Sequence, residues 1–253
     1  MLVQFLCRSE FIYAWIALAL VTLFVLTRIS APYGRHARDG WGPQISARFG
    51  WFLMEVVSPL AFVGCFLVGS RTNIEAYVFM ALYVGHYAYR SLVYPLLVPA
   101  GAKRMPISVM LMAVVFNLVN GTINGGWLYV QGPLSEQSQW SDFHFVFGVS
   151  AMITGFIIHV KADAILRNLR TVHGAGYHIP KGFLYRFISC PNYFGEMIQW
   201  VGWAIAVNSL AGASFAVWTV ANLLPRALSH HRWYREKFAD YPSERKAVIP
   251  FVL

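Results

Sequence analysis

Six ionisable side chains stand inside otherwise apolar runs: Glu55, Arg90, Lys161, Asp163, Arg186 and Glu196, with His86, His159 and Asn192 beside them. A charge in a lipid-embedded segment is costly, so such residues mark a functional site by default. Residues three and four apart share a helical face. By that spacing His159, Asp163 and Arg167 form one stripe. Asn192, Glu196 and Gln199 form a second, and Asn222, Arg226, His230 and Tyr234 a third. Facing one another, the stripes would line a cavity rich in arginine and histidine. That chemistry suits a polyanion such as a dinucleotide phosphate, because guanidinium forks match phosphate oxygens. No Rossmann fingerprint is present: the glycines of "GTINGGW" fall inside an apolar run, not after a strand. A nucleotide would therefore sit in an unrelated, membrane-embedded architecture.

The elements that must hold these stripes are apolar. Of 253 residues, 57% are hydrophobic and only 12% charged, where a soluble domain carries about 25% charge. Seven runs, 11–27, 49–70, 74–97, 107–130, 143–165, 183–207 and 210–228, approach or reach the roughly 17–25 residues that span a bilayer. "NSLAG" joins the last two as a tight hairpin. The expectation is an all-α integral membrane protein, a single domain over 1–253 built as a bundle of seven transmembrane helices.

Cations set the orientation. Arg28, Arg35, Arg38 and Arg48, then Lys103 and Arg104, then Arg167, Arg170 and Lys181 flank alternate connections, and six more end the chain, from Arg226 to Lys246. The opposite side carries Arg8 and Arg71. The positive-inside rule puts the N-terminus outside and the C-terminus in the cytoplasm. Most of the polar residues then fall in the cytoplasmic half, which describes a cavity open to the cytoplasm.

The same bias accounts for the net charge of +9, and no soluble basic domain is present to bind nucleic acid. Cys7, Cys65 and Cys190 form no CxxC, so neither a disulfide framework nor a metal site is expected. The first run lacks a small-x-small cleavage pattern and reads as a spanning helix rather than a cleaved signal.

Several blocks carry a resemblance: "YGRH" (33–36), "WFLME" (51–55), "GHYAYRSLVYP" (85–95), "NG" (120–121), "DAILRNLR" (163–170), "YHIPKG" (177–182), "PNYFGEMIQW" (191–200) and "HHRWYREKFADYPSERKAVIPF" (230–251). Together they closely resemble the steroid 5α-reductase family, membrane enzymes that reduce 3-oxo-Δ4 steroids with NADPH. The resemblance implies that Glu55 and Tyr87 contact the steroid 3-ketone, with Tyr33, Trp51, Met54 and Trp200 near the substrate. It also implies an NADPH pocket drawn from Lys103 or Arg104, His159, Asp163, Arg170, Tyr177, His178, Asn192, Glu196, Arg226, His230 and Tyr234. Met54 stands where animal members carry Gln and matches the plant members. His159, His178 and Met112 depart from the family's Asn, Arg and Arg.

Hydride addition at C5 of an enone drives electron density to the ketone oxygen, so donors aimed there stabilise the transition state more than the substrate. Tyr87 is the expected main donor. Glu55 donates only when protonated; otherwise it orients Tyr87 as an acceptor. The steroid would enter from lipid into helices 1 to 4, and NADPH from the cytoplasm into helices 5 to 7. No obligate protein partner is implied. Three other readings remain open at this level: a related membrane reductase of enones or enoyl thioesters, an S-adenosylmethionine-dependent membrane methyltransferase, and a non-catalytic sterol-binding protein.

Overall fold

The computed structural model describes residues 1–30, 36, 40–70, 73–97, 104–131, 142–174 and 176–253. In chain order its helices are α1 (Leu2–Leu6), α2 (Ser9–Arg28), α3 (Ala47–Val68), α4 (Ile74–Ala88), α5 (Tyr94–Leu97), α6 (Ile107–Gly125), α7 (Phe143–His173), α8 (Pro191–Val207) and α9 (Leu210–Lys237). A π-helical turn over Tyr89–Val93 joins α4 to α5, and a second, Gly126–Gln131, extends α6. Two short strands, β1 (Gln44–Ser46) and β2 (Arg104–Pro106), pair antiparallel at the mouths of α3 and α6.

Helix starts follow capping chemistry. Asn73 accepts from the Ala76 amide at 3.2 Å, Asp142 from His144 at 2.8 Å, and Ser209 from Gly212 at 3.0 Å, each satisfying an amide that the first turn leaves unpaired. The backbone and ring of His144 hold the Asp142 carboxyl below its usual range. Asn208, left-handed at φ 41°, ends α8 and turns the chain into α9, as expected from "NSLAG".

Seven long helical stretches correspond to the seven runs. Four of them, Ser9–Arg28, Ala47–Val68, Ile107–Gln131 and Phe143–His173, are long and apolar enough to cross a membrane, which makes this a multi-pass membrane protein. Three boundaries differ markedly from expectation, one of them the end of the fifth helix, which runs to His173 rather than 165. The sixth helix begins at Pro191, not at 183: Phe183–Arg186 is a short 3-10 turn. The reason is tertiary. Ser189 and Cys190 donate their amides to Lys246 and Ala247 (2.9 and 3.1 Å), and Lys246 donates back to Phe187 (2.9 Å). The seventh helix runs on to Lys237, its final turns carrying the basic residues past the apolar run.

Close pairs give the bundle its frame: α7 lies along α8, α3 along α6, and α2 along α9. Glycines permit the first contact. A Cβ at Gly195 of α8 would lie 2.6 Å from the Gly155 carbonyl oxygen of α7, and one at Gly202 would lie 2.6 Å from the Met152 nitrogen. Gly195→Ala should therefore force the two backbones apart. Overpacking of this kind costs about 1–3 kcal/mol, so a lower Tm in detergent is expected, and an unchanged Tm would show that the helices do not touch there.

Candidate active site

Helices α2, α3, α4, α6, α8 and α9 line a cavity of ≈ 910 Å³. Its walls are largely aromatic and aliphatic. Trp15, Phe116, Phe215 and Trp218 line it, and Trp200 packs tilted against Phe215 with ring centroids 3.9 Å apart. Polar groups enter from α3 (Glu55), α4 (His86, Tyr87), the first π turn (Arg90), α6 (Asn117), α8 (Glu196) and α9 (Asn222, Arg226).

At one end Tyr87 is the central hydroxyl. Its ring lies 6.0 Å from that of Trp200, and it donates to Asn117 Oδ1 at 3.2 Å. Asn117 Nδ2 in turn donates to the Met54 carbonyl at 2.6 Å, which fixes the amide so that its oxygen faces Tyr87. The hydroxyls of Ser58 and Tyr83, 2.8 Å apart, close the network behind. Met54 and Trp51 line the same cavity.

Glu55 also lines it, but its hydrogen bond goes to Arg90, not to Tyr87: the guanidinium donates to Oε1 at 2.9 Å. Arg90 lies over the ring of Trp51 at 4.5 Å and that of Tyr94 at 5.2 Å, contacts that stabilise a cation. Pro59, inside α3, supplies no N–H to the Glu55 carbonyl one turn before it, a local opening of the ladder beside the site.

A second cluster lies between α7 and α8, where the first two stripes meet. His159 approaches Asp163 at 3.6 Å and Glu196 at 3.5 Å, and Asn192 donates to Asp163 at 3.1 Å. Gln199 turns instead to α4, donating to His86 Nδ1 at 2.9 Å. Arg167 donates to the Tyr89 hydroxyl at 3.1 Å.

The third stripe divides. Arg226 lines the cavity and its Nε donates to Tyr193 at 2.8 Å. His230 is buried between the rings of Tyr193 (5.5 Å) and His36 (5.2 Å). Tyr234 is buried too, but stacks on Tyr241 at 5.3 Å in the C-terminal segment and is not among the cavity-lining residues.

Other expected site residues lie further out. Arg104 donates to the Gln44 carbonyl at 2.8 Å and does not line the cavity. Arg170 is exposed on the last turns of α7. Tyr177 packs edge-on against Trp233 at 4.8 Å, and His178 lies beside His173 at 5.0 Å. Tyr33 and Lys103 lie outside the described residues. His231, off the third stripe, is half-buried, 2.6 Å from Ser189 Oγ, which also contacts Tyr241 at 2.7 Å. Burial, with Arg235 and Lys246 nearby, pushes its pKa below the usual imidazole value.

Two residues gain a place that periodicity did not assign. Arg90 was visible only as one of six charges in apolar runs. Asn117 was one of three asparagines in the fourth run, with Asn120 and Asn124, and nothing in its spacing set it apart. Their partners lie on other helices, so spacing along one helix does not reveal the pairings.

Fold and site thus define a multi-pass membrane protein with a largely apolar cavity and a few convergent polar groups, the usual form of a small-molecule site. A family model described as 3-oxo-5-alpha-steroid 4-dehydrogenase matches residues 103–253. The chain is 40% identical over 238 residues to Steroid 5-alpha-reductase DET2 of Arabidopsis thaliana, covering 91% of each. It is 38% identical over 247 residues to 3-oxo-5-alpha-steroid 4-dehydrogenase 1 of Bos taurus, covering 95% of each. To the Homo sapiens protein of that name it is 36% identical over 224 residues, 87% of this chain and 85% of the relative. The chain belongs to the 3-oxo-5-alpha-steroid 4-dehydrogenase family, and is an oxidoreductase acting on CH–CH groups.

Proposed function

We propose that this protein reduces the Δ4 double bond of 3-oxo-Δ4 steroids to 5α-dihydro products at the expense of NADPH. The observation that carries the reading is a cavity in which apolar walls run up to Tyr87 at one point and to Glu196 and Arg226 at another. A steroid is a rigid apolar body with few polar groups, so its binding draws on burial of surface and its orientation on the polar end.

NADPH fits the residues present. His178 Nε2 is buried without a hydrogen-bond partner among the described residues, and an anionic oxygen would satisfy it. Asp163, Asn192, Glu196, Arg226 and His230 would hold the cofactor near the cavity. Lys103 or Arg104, Arg170, Tyr177 and His178 would hold its outer phosphates, with His159 and Tyr234 supporting them. NADPH supplies a hydride when bound.

The chain's own part is polarisation of the enone. As hydride adds at C5, the C4–C5 pair moves toward C3 and negative charge grows on the ketone oxygen. Tyr87 is the donor for that oxygen: rotation about its Cζ–O bond turns the hydrogen from Asn117 to the ketone. Glu55 completes the polar end. Addition of a proton at C4 then restores the ketone, so substrate, hydride and proton sum to the dihydro product, and the hydride donor is left as the oxidised cofactor. Trp51, Met54 and Trp200 border the ring system, and Tyr33 belongs to the same proposed wall. Trp200, Phe215 and Trp218 face the slot as well, so α8 and α9 serve steroid and cofactor alike.

In the membrane we read seven crossings, with α4, α8 and α9 spanning beside the four most apolar helices. The cation distribution sets the cofactor end toward the cytoplasm. Incubation with NADPH and testosterone or progesterone tests the reading by product analysis. The 5α-dihydro steroid is expected; absence of steroid-dependent NADPH oxidation, or a 5β product, would overturn it.

A further inference from the structure

The group that faces the ketone end with a full positive charge is Arg90. It sits in the π turn Tyr89–Val93, which interrupts α4 just after Tyr87. Such turns recur at functional sites because they re-aim the residues that follow. Arg90, Glu55 and Tyr87 all line the same cavity. The guanidinium is held on three sides, by the Glu55 carboxylate at 2.9 Å and by the rings of Trp51 and Tyr94. Its Nε is buried without a hydrogen-bond partner among the described residues.

The Glu55 carboxylate turns Oε1 to a guanidinium, from which it accepts, rather than to the ketone. Standing alone beside a growing enolate, it would oppose the negative charge. Paired, it does something else: it holds the cation in place. Two more carboxylates stand on neighbouring helices: Glu196 of α8, which lines the same cavity, and Asp163 of α7. Without Glu55, those two carboxylates are the anions left to attract the guanidinium, and they belong to the cluster around His159.

We propose that Arg90 is a further member of the ketone-polarising group, and that Glu55 acts through it by anchoring the guanidinium at the Tyr87 end of the cavity. The inference rests on the ketosteroid reading given above. No bond to Arg90 is made or broken. Its fixed charge lies in a water-poor site where the enolate oxygen develops, an arrangement that stabilises the transition state without reorganisation. Tyr87 donates the hydrogen bond and Arg90 supplies the field.

A double-mutant cycle tests this in the full-length protein, with NADPH binding measured on each variant as a check of the fold. Glu55→Gln and Arg90→Met should each lower kcat on a Δ4-3-ketosteroid by about 10²-fold, the scale of losing one oxyanion partner, with little change in KM. Combined, they should lower it no further than the worse single variant, within the about twofold scatter of such cycles. Arg90→Lys, which keeps the charge but not the fork, should recover part of the loss. If the two groups acted independently the double variant would fall by about 10⁴-fold, and that outcome overturns the proposal. Arg90→Met leaves a buried carboxylate unpaired and is the variant at risk of misfolding. Glu55→Gln against the charge-neutral Glu55→Gln/Arg90→Met pair then decides alone: equal turnover supports the proposal and a further drop of about 10²-fold rejects it. Failure of the wild-type protein to reduce the steroid would instead reject the ketosteroid reading itself.

Discussion

Tyr87→Phe lowers kcat on a Δ4-3-ketosteroid by about 10²- to 10³-fold, the loss measured when one oxyanion donor is removed. KM for the steroid changes little. The ground-state ketone is neutral and accepts a hydrogen bond of ordinary strength, whereas the enolate oxygen is charged and accepts one roughly twice as strong. The hydroxyl therefore acts mainly on the transition state, and kcat and kcat/KM fall together. The fold should tolerate the change, because Phe keeps the ring that packs near Tyr83 and Trp200 at 5.0 and 6.0 Å. Asn117 loses its partner but keeps its bond to the Met54 carbonyl. Steady-state kinetics with an NADPH-binding control checks the expectation. A variant with wild-type kcat removes Tyr87 from the chemistry.

The second large effect is on the cofactor. Arg226→Ala raises KM for NADPH by about 10- to 100-fold, since a hydrogen bond to a charged group is worth about 1.5–3 kcal/mol and 1.4 kcal/mol is about tenfold. Arg226 lines the cavity on α9 and is oriented by its bond to Tyr193 of α8, so the loss falls on binding rather than on the ketone end. Steroid KM at saturating NADPH should stay near the wild-type value. An unchanged NADPH requirement, measured by initial rates across cofactor concentrations, would show that α9 does not hold the dinucleotide. Tyr193→Phe should produce a smaller shift in the same direction, because it removes the orienting partner and leaves the cation.

Much of this was legible in the sequence, for identifiable reasons. Apolar runs locate helices because a spanning segment must be apolar along its length, and the seven runs correspond to seven helical stretches. The i, i+4 stripes found His159, Asp163, Asn192 and Glu196, which meet between α7 and α8. Tyr234 shows where spacing stops working. It continues the register of Arg226 and His230, yet by that turn α9 packs against the segment carrying Tyr241. The start of α8 was misplaced for a related reason: Phe183 and its neighbours are apolar enough for a helix, but the chain bonds to residues 246 and 247 instead. Arg90 and Asn117 were hidden differently. Each is a polar residue in an apolar run whose significance comes from partners 35 and 63 positions away.

The glycine contacts between α7 and α8 carry a further consequence, for how relatives with other substrate preferences can arise. At Gly155, Gly195 and Gly202 any added side chain meets backbone of the opposing helix, so the spacing of that pair is closed to variation by substitution. No enlargement or narrowing of the site can come from there. The α2 and α6 walls are different: Leu18, Met112 and Val115 border the cavity and are themselves exposed at 48%, 55% and 59%. They can change size without displacing a helix. Drift in substrate range should accumulate on that wall, while the α7–α8 seam stays fixed as the frame against which new steroid shapes are tried.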